Sequence, residues 1–302
     1  MTAPEYHQVK YPAASCGASN FLANRPLTDR FLAARQAVRE NSPLIHSITS
    51  PIAINDCANG VLALGAKPIM AEHPAEVAQI TGMAQALTVS LANITDVRAE
   101  SIMISGKIKP AVIDVVGVTC SPFRMELAKR FVEDCHPAVI KGNVSEIRAM
   151  AGADFGASGI DVSRADAVAK DNRESQLQMA DIMKRYAASV QAVVMASGEV
   201  DIIAAADGET VYFVENGTAH MAKITGTGCM LTCIAGVYLS VTDPVTASVL
   251  AAVTLGIAGE KADSSRGLGS YHIGLMDALS TLTDDQLMEL MQVTENSYKE
   301  TK

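Results

Sequence analysis

Between Lys223 and Leu239 the chain reads Lys-Ile-Thr-Gly-Thr-Gly-Cys-Met-Leu-Thr-Cys-Ile-Ala-Gly-Val-Tyr-Leu, two glycines followed by a cysteine and an apolar run. Gly226 and Gly228 lack a Cβ, so the backbone around them is free to take positive φ and to let another group approach. From Cys229 onward, Met230, Leu231, Ile234, Val237 and Tyr238 recur at helical spacing, which makes residues 225–229 a turn running into a helix N-terminus. Such an end presents unpaired N–H groups and about half a positive charge, suited to a phosphate or a developing oxyanion. A thiol at that end has a lowered pKa and serves as base, ligand or nucleophile. The alternative is an ordinary glycine turn with Cys229 as a small buried hydrophobe, and on this stretch alone both readings stand.

Further chemistry collects where strands are expected to end: Asn93, Asp114, Lys141-Gly142-Asn143 and Ser197-Gly198. In open α/β sheets ligands bind beyond the carboxyl ends of the strands, so these residues define one multi-strand site. Lys141 suits a phosphate, and Asp114 and Glu146 are oxygen ligands of the kind Mg²⁺ takes beside phosphates. Asn143-Val-Ser-Glu146 also has the spacing of a capping box, at least as good a reading of Glu146, and a lone Asp at a strand end is commonly a turn former. Asn55 and Asn59, four apart on a helix, are expected to face water. His272 is a candidate cap or loop residue.

These groups need a scaffold, and the hydrophobic pattern supplies one. Residues 27–41 form an amphipathic helix, 42–49 a short apolar run, 52–65 a helix stopped by Gly65, 66–70 an extended piece, and 74–87 a helix opened by Pro74. Alternation of strand and helix follows over 86–93, 95–105, 111–118, 121–135, 138–141 and 145–152, the rhythm of a parallel sheet. A helix over 163–186, a strand over 191–196, a hairpin turning at Asp207-Gly208 and two helices after Pro244 complete the reading. The expected fold is α/β, a mostly parallel central sheet with helices on both faces. It forms one domain over 1–302, with 1–24 a loose lead-in and 294–302 a polar tail.

Composition narrows the function classes. With 302 residues, 49% of them hydrophobic, a large single core is available. A formal net charge of −9 without a basic cluster argues against nucleic acid and anionic membrane surfaces. Six cysteines, at 16, 57, 120, 135, 229 and 233, show neither CxxC pairs nor a dense framework, which reads as reduced thiols in a cytoplasm and argues against zinc. The apolar run over 246–258 is shorter than the roughly 20 residues a spanning helix needs.

Five segments, in order, carry a resemblance. They are Pro43-Leu-Ile-His-Ser-Ile-Thr49, Ala58-Asn-Gly-Val-Leu-Ala-Leu-Gly-Ala-Lys-Pro-Ile-Met70, Ile140-Lys-Gly-Asn-Val-Ser-Glu146, Ser197-Gly-Glu-Val-Asp201 and Lys223-Ile-Thr-Gly-Thr-Gly-Cys229. Together they resemble the hydroxyethylthiazole kinases of thiamine biosynthesis, a ribokinase-like group, over residues 43–278.

The resemblance implies that ATP phosphorylates the primary alcohol of 4-methyl-5-(2-hydroxyethyl)thiazole with Mg²⁺. It places Met70 and Gly226 on the thiazole and Lys141 and Ser197 on ATP, and Thr225 and Gly228 of the Gly-rich turn are expected to bind ATP with them. By their own chemistry Asp114 and Glu146 would sit beside that metal, and Cys229 matches the family's cysteine, which stands where most ribokinase relatives carry an aspartate base. It also implies a homotrimer with active sites between subunits. The chain departs from the family in reading Asp114-Val-Val-Gly-Val-Thr-Cys120 for Asp-Pro-Val-Gly-Val-Gly-Ala, in Lys141 for Arg, in Ser197 for Thr, and in Ser50-Pro-Ile-Ala after Thr49. Lysine exchanges a bidentate fork for a point charge. The alternatives to a thiazole kinase are a kinase of the same fold for a pyrimidine or pyridine alcohol, and a thiazole-binding protein without catalysis.

Overall fold

Apolar residues at neighbouring positions of the central strands point to opposite faces and fill two separate cores. Ile45, Val112, Val139 and Val193 join one core, while Ile48, Ile113, Ile140 and Val194 join the other. That period of two, with both faces buried, produces a sheet covered by helices on each side. The computed structural model describes residues 25–154 and 168–297.

In chain order the elements are α1 (Leu27–Asn41), β1 (Leu44–Ile48), α2 (Ile54–Ala63), β2 (Lys67–Ile69), α3 (Pro74–Met83) and β3 (Ala86–Ser90). There follow α4 (Asp96–Gly106), β4 (Ala111–Asp114), α5 (Pro122–Cys135), β5 (Val139–Asn143), α6 (Val144–Met150) and α7 (Arg173–Val190). The remainder comprises β6 (Val193–Ser197), β7 (Asp201–Ala204), β8 (Thr210–Val214), a 3₁₀ turn (Met221–Lys223), α8 (Thr227–Leu239), α9 (Pro244–Lys261), α10 (Leu268–Thr281), α11 (Asp284–Leu290) and β9 (Val293–Ser297).

The strands form one nine-stranded sheet in the order β2-β1-β3-β4-β5-β6-β7-β8-β9. Pairing is parallel from β2 through β6 and antiparallel from β6 to β9. After β1 the chain steps outward to β2 and then returns to β3 on the other side, so the order reverses between β1 and β3. Loops diverge at such a reversal and leave a crevice at the carboxyl ends of the strands. Helix α8 packs across β1, β3 and β4, with Cys233 beside Ser47 and Thr88 and Cys229 beside Ser90, the last residue of β3. Its N-terminus therefore opens into the crevice.

The α/β architecture agrees with the sequence reading, and several boundaries differ. Helix α3 stops at Met83 because Ala86 onward is a fully buried strand, and a short apolar run serves either period. Helix α7 begins at Arg173, where Asn172 caps it by accepting from Ser175 N at 3.0 Å. Residues 163–167 and the lead-in 1–24 lie outside the described residues. Three helices, not two, follow Pro244. The expected polar tail is in part a strand: β9 pairs antiparallel with β8 from Val293 opposite Val214 to Ser297 opposite Thr210. An edge strand is bound through its backbone, so its Thr, Glu and Asn side chains gave no apolar pattern to read.

Candidate functional site

The turn before α8 is built on Gly226, which takes φ of +91° as the helix N-cap. A Cβ added there would stand 2.9 Å from the Cβ of Ala53, the N-cap of α2, so both conformation and space exclude a side chain. The helix starts at Thr227, two residues earlier than the apolar periodicity indicated, and Cys229 is the third residue of its first turn. No side chain caps this end, which leaves its first N–H groups aimed at the crevice.

Lys141 reaches the same turn from β5. Its Nζ lies 3.3 Å from Asp114 Oδ1, and the two residues are paired in register across β4 and β5. The same Nζ is 3.1 Å from the place a Gly228 Cβ would occupy, so the second glycine keeps room for the ammonium group. Burial acts against the charge of Lys141, but Asp114, Glu146 and Cys229 outweigh it and raise its pKa. Asp114 Oδ1 is buried against the Lys141 ammonium, which opposes the rise in pKa that burial imposes on the Asp114 carboxyl.

Glu146 realises the capping box. Asn143 Oδ1 accepts from Glu146 N at 2.9 Å, and Glu146 Oε2 accepts from Asn143 N at 2.7 Å. Its other oxygen accepts from Gly117 N at 2.7 Å, tying the loop after β4 to α6. Burial, then the charge of Asp114, pushes the Glu146 carboxyl up to about 7. Among the described residues no group of three or more His, Cys, Asp or Glu side chains is placed to hold a metal ion. Asp114 and Glu146 nevertheless bring two carboxylates to one corner of the site, a donor set of the kind Mg²⁺ takes when phosphate oxygens and water complete its shell.

For Cys229 the expected lowering of the pKa is overturned. Burial, then the nearby Asp114 carboxylate, pushes the thiol up to about 11, beyond what Lys141 offsets. Its Sγ lies 4.0 Å from Ser90 Oγ.

Ser197 ends β6 opposite Asn143 and donates to Gly142 O at 3.2 Å, so it borders the Lys141 corner. Thr225 is exposed at the mouth of the turn. Met70 follows β2, half-buried against the core, at the far flank of the same sheet edge. Five strand spacings separate β2 from β6, roughly 24 Å, so the α8 N-terminus stands between Met70 and Ser197 rather than touching both. Asn55 and Asn59 are exposed, as expected. His272 is neither cap nor loop residue; it lies in α10, 3.0 Å from Asp56 of α2.

Sequence reasoning missed Arg98 and Asp201. Asp201 accepts from Gly198 N at 2.9 Å and closes the β6–β7 turn, with its carboxyl pushed up to about 6 by burial. Arg98 is buried beneath the loops after β1 and β3; on a helix with mixed polarity its arginine reads as a surface residue, and no local signal marks it. A separate cavity of about 210 Å³ lies among Arg35, Arg39, Leu64, Tyr238 and Leu279, toward the other end of α8, and both its arginines are already paired with Asp284.

Comparison with known proteins bears on this arrangement. Hydroxyethylthiazole kinase 2 of Clostridium botulinum is 45% identical over 269 residues, covering 87% of this chain and 99% of that protein. The solved structure of a hydroxyethylthiazole kinase protein from Pyrococcus horikoshii OT3 matches with a TM-score of 0.78 at 29% identity, over 88% of this chain and 99% of that one. A ribokinase-like superfamily protein from Enterococcus faecalis shares the fold at a TM-score of 0.55 and 11% identity, over 87% and 90% of the two chains. Residues 35–285 match the hydroxyethylthiazole kinase family as a whole, and the chain belongs to that family.

Proposed function

We propose that this chain transfers the γ-phosphoryl group of ATP to the primary alcohol of 4-methyl-5-(2-hydroxyethyl)thiazole, giving the thiazole phosphate used in thiamine biosynthesis or salvage. The observation that carries the proposal is the uncapped first turn of α8 beside the buried Lys141–Asp114 pair, in a chain of this family. Phosphoryl transfer passes through a loose transition state, so the protein mainly aligns the hydroxyl and neutralises charge on the moving group. The N–H groups of residues 226–229 and the ammonium of Lys141 supply that positive field.

Lys141 and Ser197 at the ends of β5 and β6, with Thr225 and Gly228, form the ATP flank. Met70 and Gly226 form the acceptor flank. Asp114 and Glu146 would hold Mg²⁺, which would supply neutralisation of phosphate charge there. Cys229, protonated at neutral pH, acts by orienting the alcohol. The alcohol's proton leaves late, once bonding to phosphorus has made it acidic, and passes to an oxygen of the transferred phosphoryl group, so no basicity is asked of the thiol.

A homotrimer with active sites between subunits is part of the reading. Ile52, two residues before α2, and Ile273 on α10 are each 65% exposed; α2 and α10 pack together, and Ala53 at the α2 N-cap meets Gly226. The free thiols of Cys57, Cys135, Cys229 and Cys233 support a cytoplasmic setting, and no described helix is long and apolar enough to cross a membrane.

ADP release from Mg-ATP with hydroxyethylthiazole, beside hydroxymethylpyrimidine, pyridoxal and no acceptor, tests the proposal. Turnover selective for the thiazole alcohol is expected. Selective turnover of another acceptor would discard the substrate but keep the chemistry, and thiazole binding without ADP would indicate a non-catalytic protein.

A further inference from the structure

Arg98 on α4 is 2% exposed, yet nothing in the phosphoryl-transfer chemistry above uses it. Its Nη1 donates to Ala92 O and Asn93 O, both at 2.9 Å, in the loop after β3. Its Nη2 donates to Thr49 O in the loop after β1. Its Nε faces Glu72 Oε2 at 3.4 Å, in the loop after β2. One guanidinium thus joins the carboxyl-end loops of three adjacent strands, using the several fixed donor directions that only arginine offers.

Each of these loops borders the acceptor flank. The β1 loop continues to Ala53, against which Gly226 packs, and its Ser50 donates to Asn93 Oδ1 at 2.7 Å. The β2 loop carries Met70 and is held at two further points: Ala71 O contacts His46 Nε2 at 2.8 Å, and Glu72 O accepts from Ser101 Oγ at 2.7 Å. The ATP flank, at β5 and β6, receives no bond from Arg98. A buried guanidinium is costly to desolvate, and three loops would be fastened more cheaply by apolar packing unless their relative placement mattered.

We infer that Arg98 is a positioning residue for the acceptor alcohol, fixing the β1, β2 and β3 loops relative to one another through Thr49, Glu72, Ala92 and Asn93. The inference rests on the kinase reading for its substrate but not for its geometry. Lysine at this position keeps the charge and cannot bond all three loops together. Glu72 is half-exposed, so its replacement leaves the buried arginine in place and releases only the Met70 loop.

The test compares Arg98→Lys and Glu72→Ala with the unaltered protein in two ways. Steady-state kinetics should show the KM for hydroxyethylthiazole raised about tenfold in Arg98→Lys, and less in Glu72→Ala, as expected for losing bonds to a charged group, with the KM for ATP within about twofold. Amide hydrogen exchange without substrate should show faster exchange in residues 49–53, 70–73 and 91–95 of Arg98→Lys, and in 70–73 alone of Glu72→Ala. Should Arg98→Lys fail to fold, Glu72→Ala decides by the same two readouts. The inference is overturned if these segments exchange at the unaltered rate, or if the KM for ATP rises as much as that for the acceptor. Exchange needs no acceptor, so absence of thiazole turnover in the unaltered protein would sink the kinase reading and leave the positioning role to be judged by exchange.

Discussion

A thiol at a helix N-terminus is usually discussed as an incipient thiolate, and Cys229 shows the opposite balance. Lys141 favours the anion, but burial and the Asp114 carboxylate disfavour it more and push the thiol up to about 11. Cys229→Ser, which preserves a donor of similar reach, should lower kcat only several-fold, whereas Cys229→Ala should lower it about a hundredfold with little change in the KM for ATP. A tenfold rise in kcat per pH unit through the neutral range, absent in Cys229→Ser, would instead identify the thiolate as base. Glu146 makes a separate prediction. Its carboxyl moves from an ordinary 4.5 to about 7 in the folded protein, so the native state holds the proton more tightly. The associated stability is fully present below pH 4.5 and is lost as pH rises through 7, a change on the order of 3 kcal/mol. Denaturant unfolding from pH 5 to 8 should show that slope in the native protein and a flatter one in Glu146→Gln. Glu146 was legible as a cap from its spacing to Asn143; its second bond, to Gly117, joins segments 29 positions apart and left no trace in local sequence.

At the level of elements, the two glycines of the α8 turn differ in what they tolerate. Gly226 has positive φ and meets Ala53, so Gly226→Ala should cost about 1–2 kcal/mol of stability and impair acceptor binding, read by thermal unfolding and by the acceptor KM. Gly228 has ordinary helical geometry and meets only the tip of the Lys141 side chain, which is able to move. Gly228→Ala should therefore melt near the unaltered temperature while raising the KM for ATP. The Gly-Thr-Gly-Cys spacing was enough to find this turn, and the two-residue error in the helix start arose because Thr227 and Gly228 contribute nothing to apolar periodicity. Strands β3 to β6 were legible for the reverse reason: each is a nearly continuous buried run that follows a helix. Arg98 was not, because its partners are carbonyls, and a carbonyl is present at every position of every sequence.

For the whole molecule, the proposed trimer predicts a solution mass three times that of one chain by light scattering. Replacing the exposed Ile52 and Ile273 together with Glu should lower that mass and reduce turnover with it, and a native mass of one chain would remove the interfacial reading. The sheet itself carries a further consequence. Strand β8, Thr210-Val-Tyr-Phe-Val214, takes its second partner from β9, which lies beyond four helices in the chain. During synthesis the ribosome therefore makes β8 long before β9, and until β9 emerges one edge of an apolar, β-branched and aromatic segment remains open to any other strand. A nascent or truncated chain is most exposed to misassembly in that interval, and the polar Thr-Glu-Asn of β9, by closing the edge with side chains that attract no further strand, ends it.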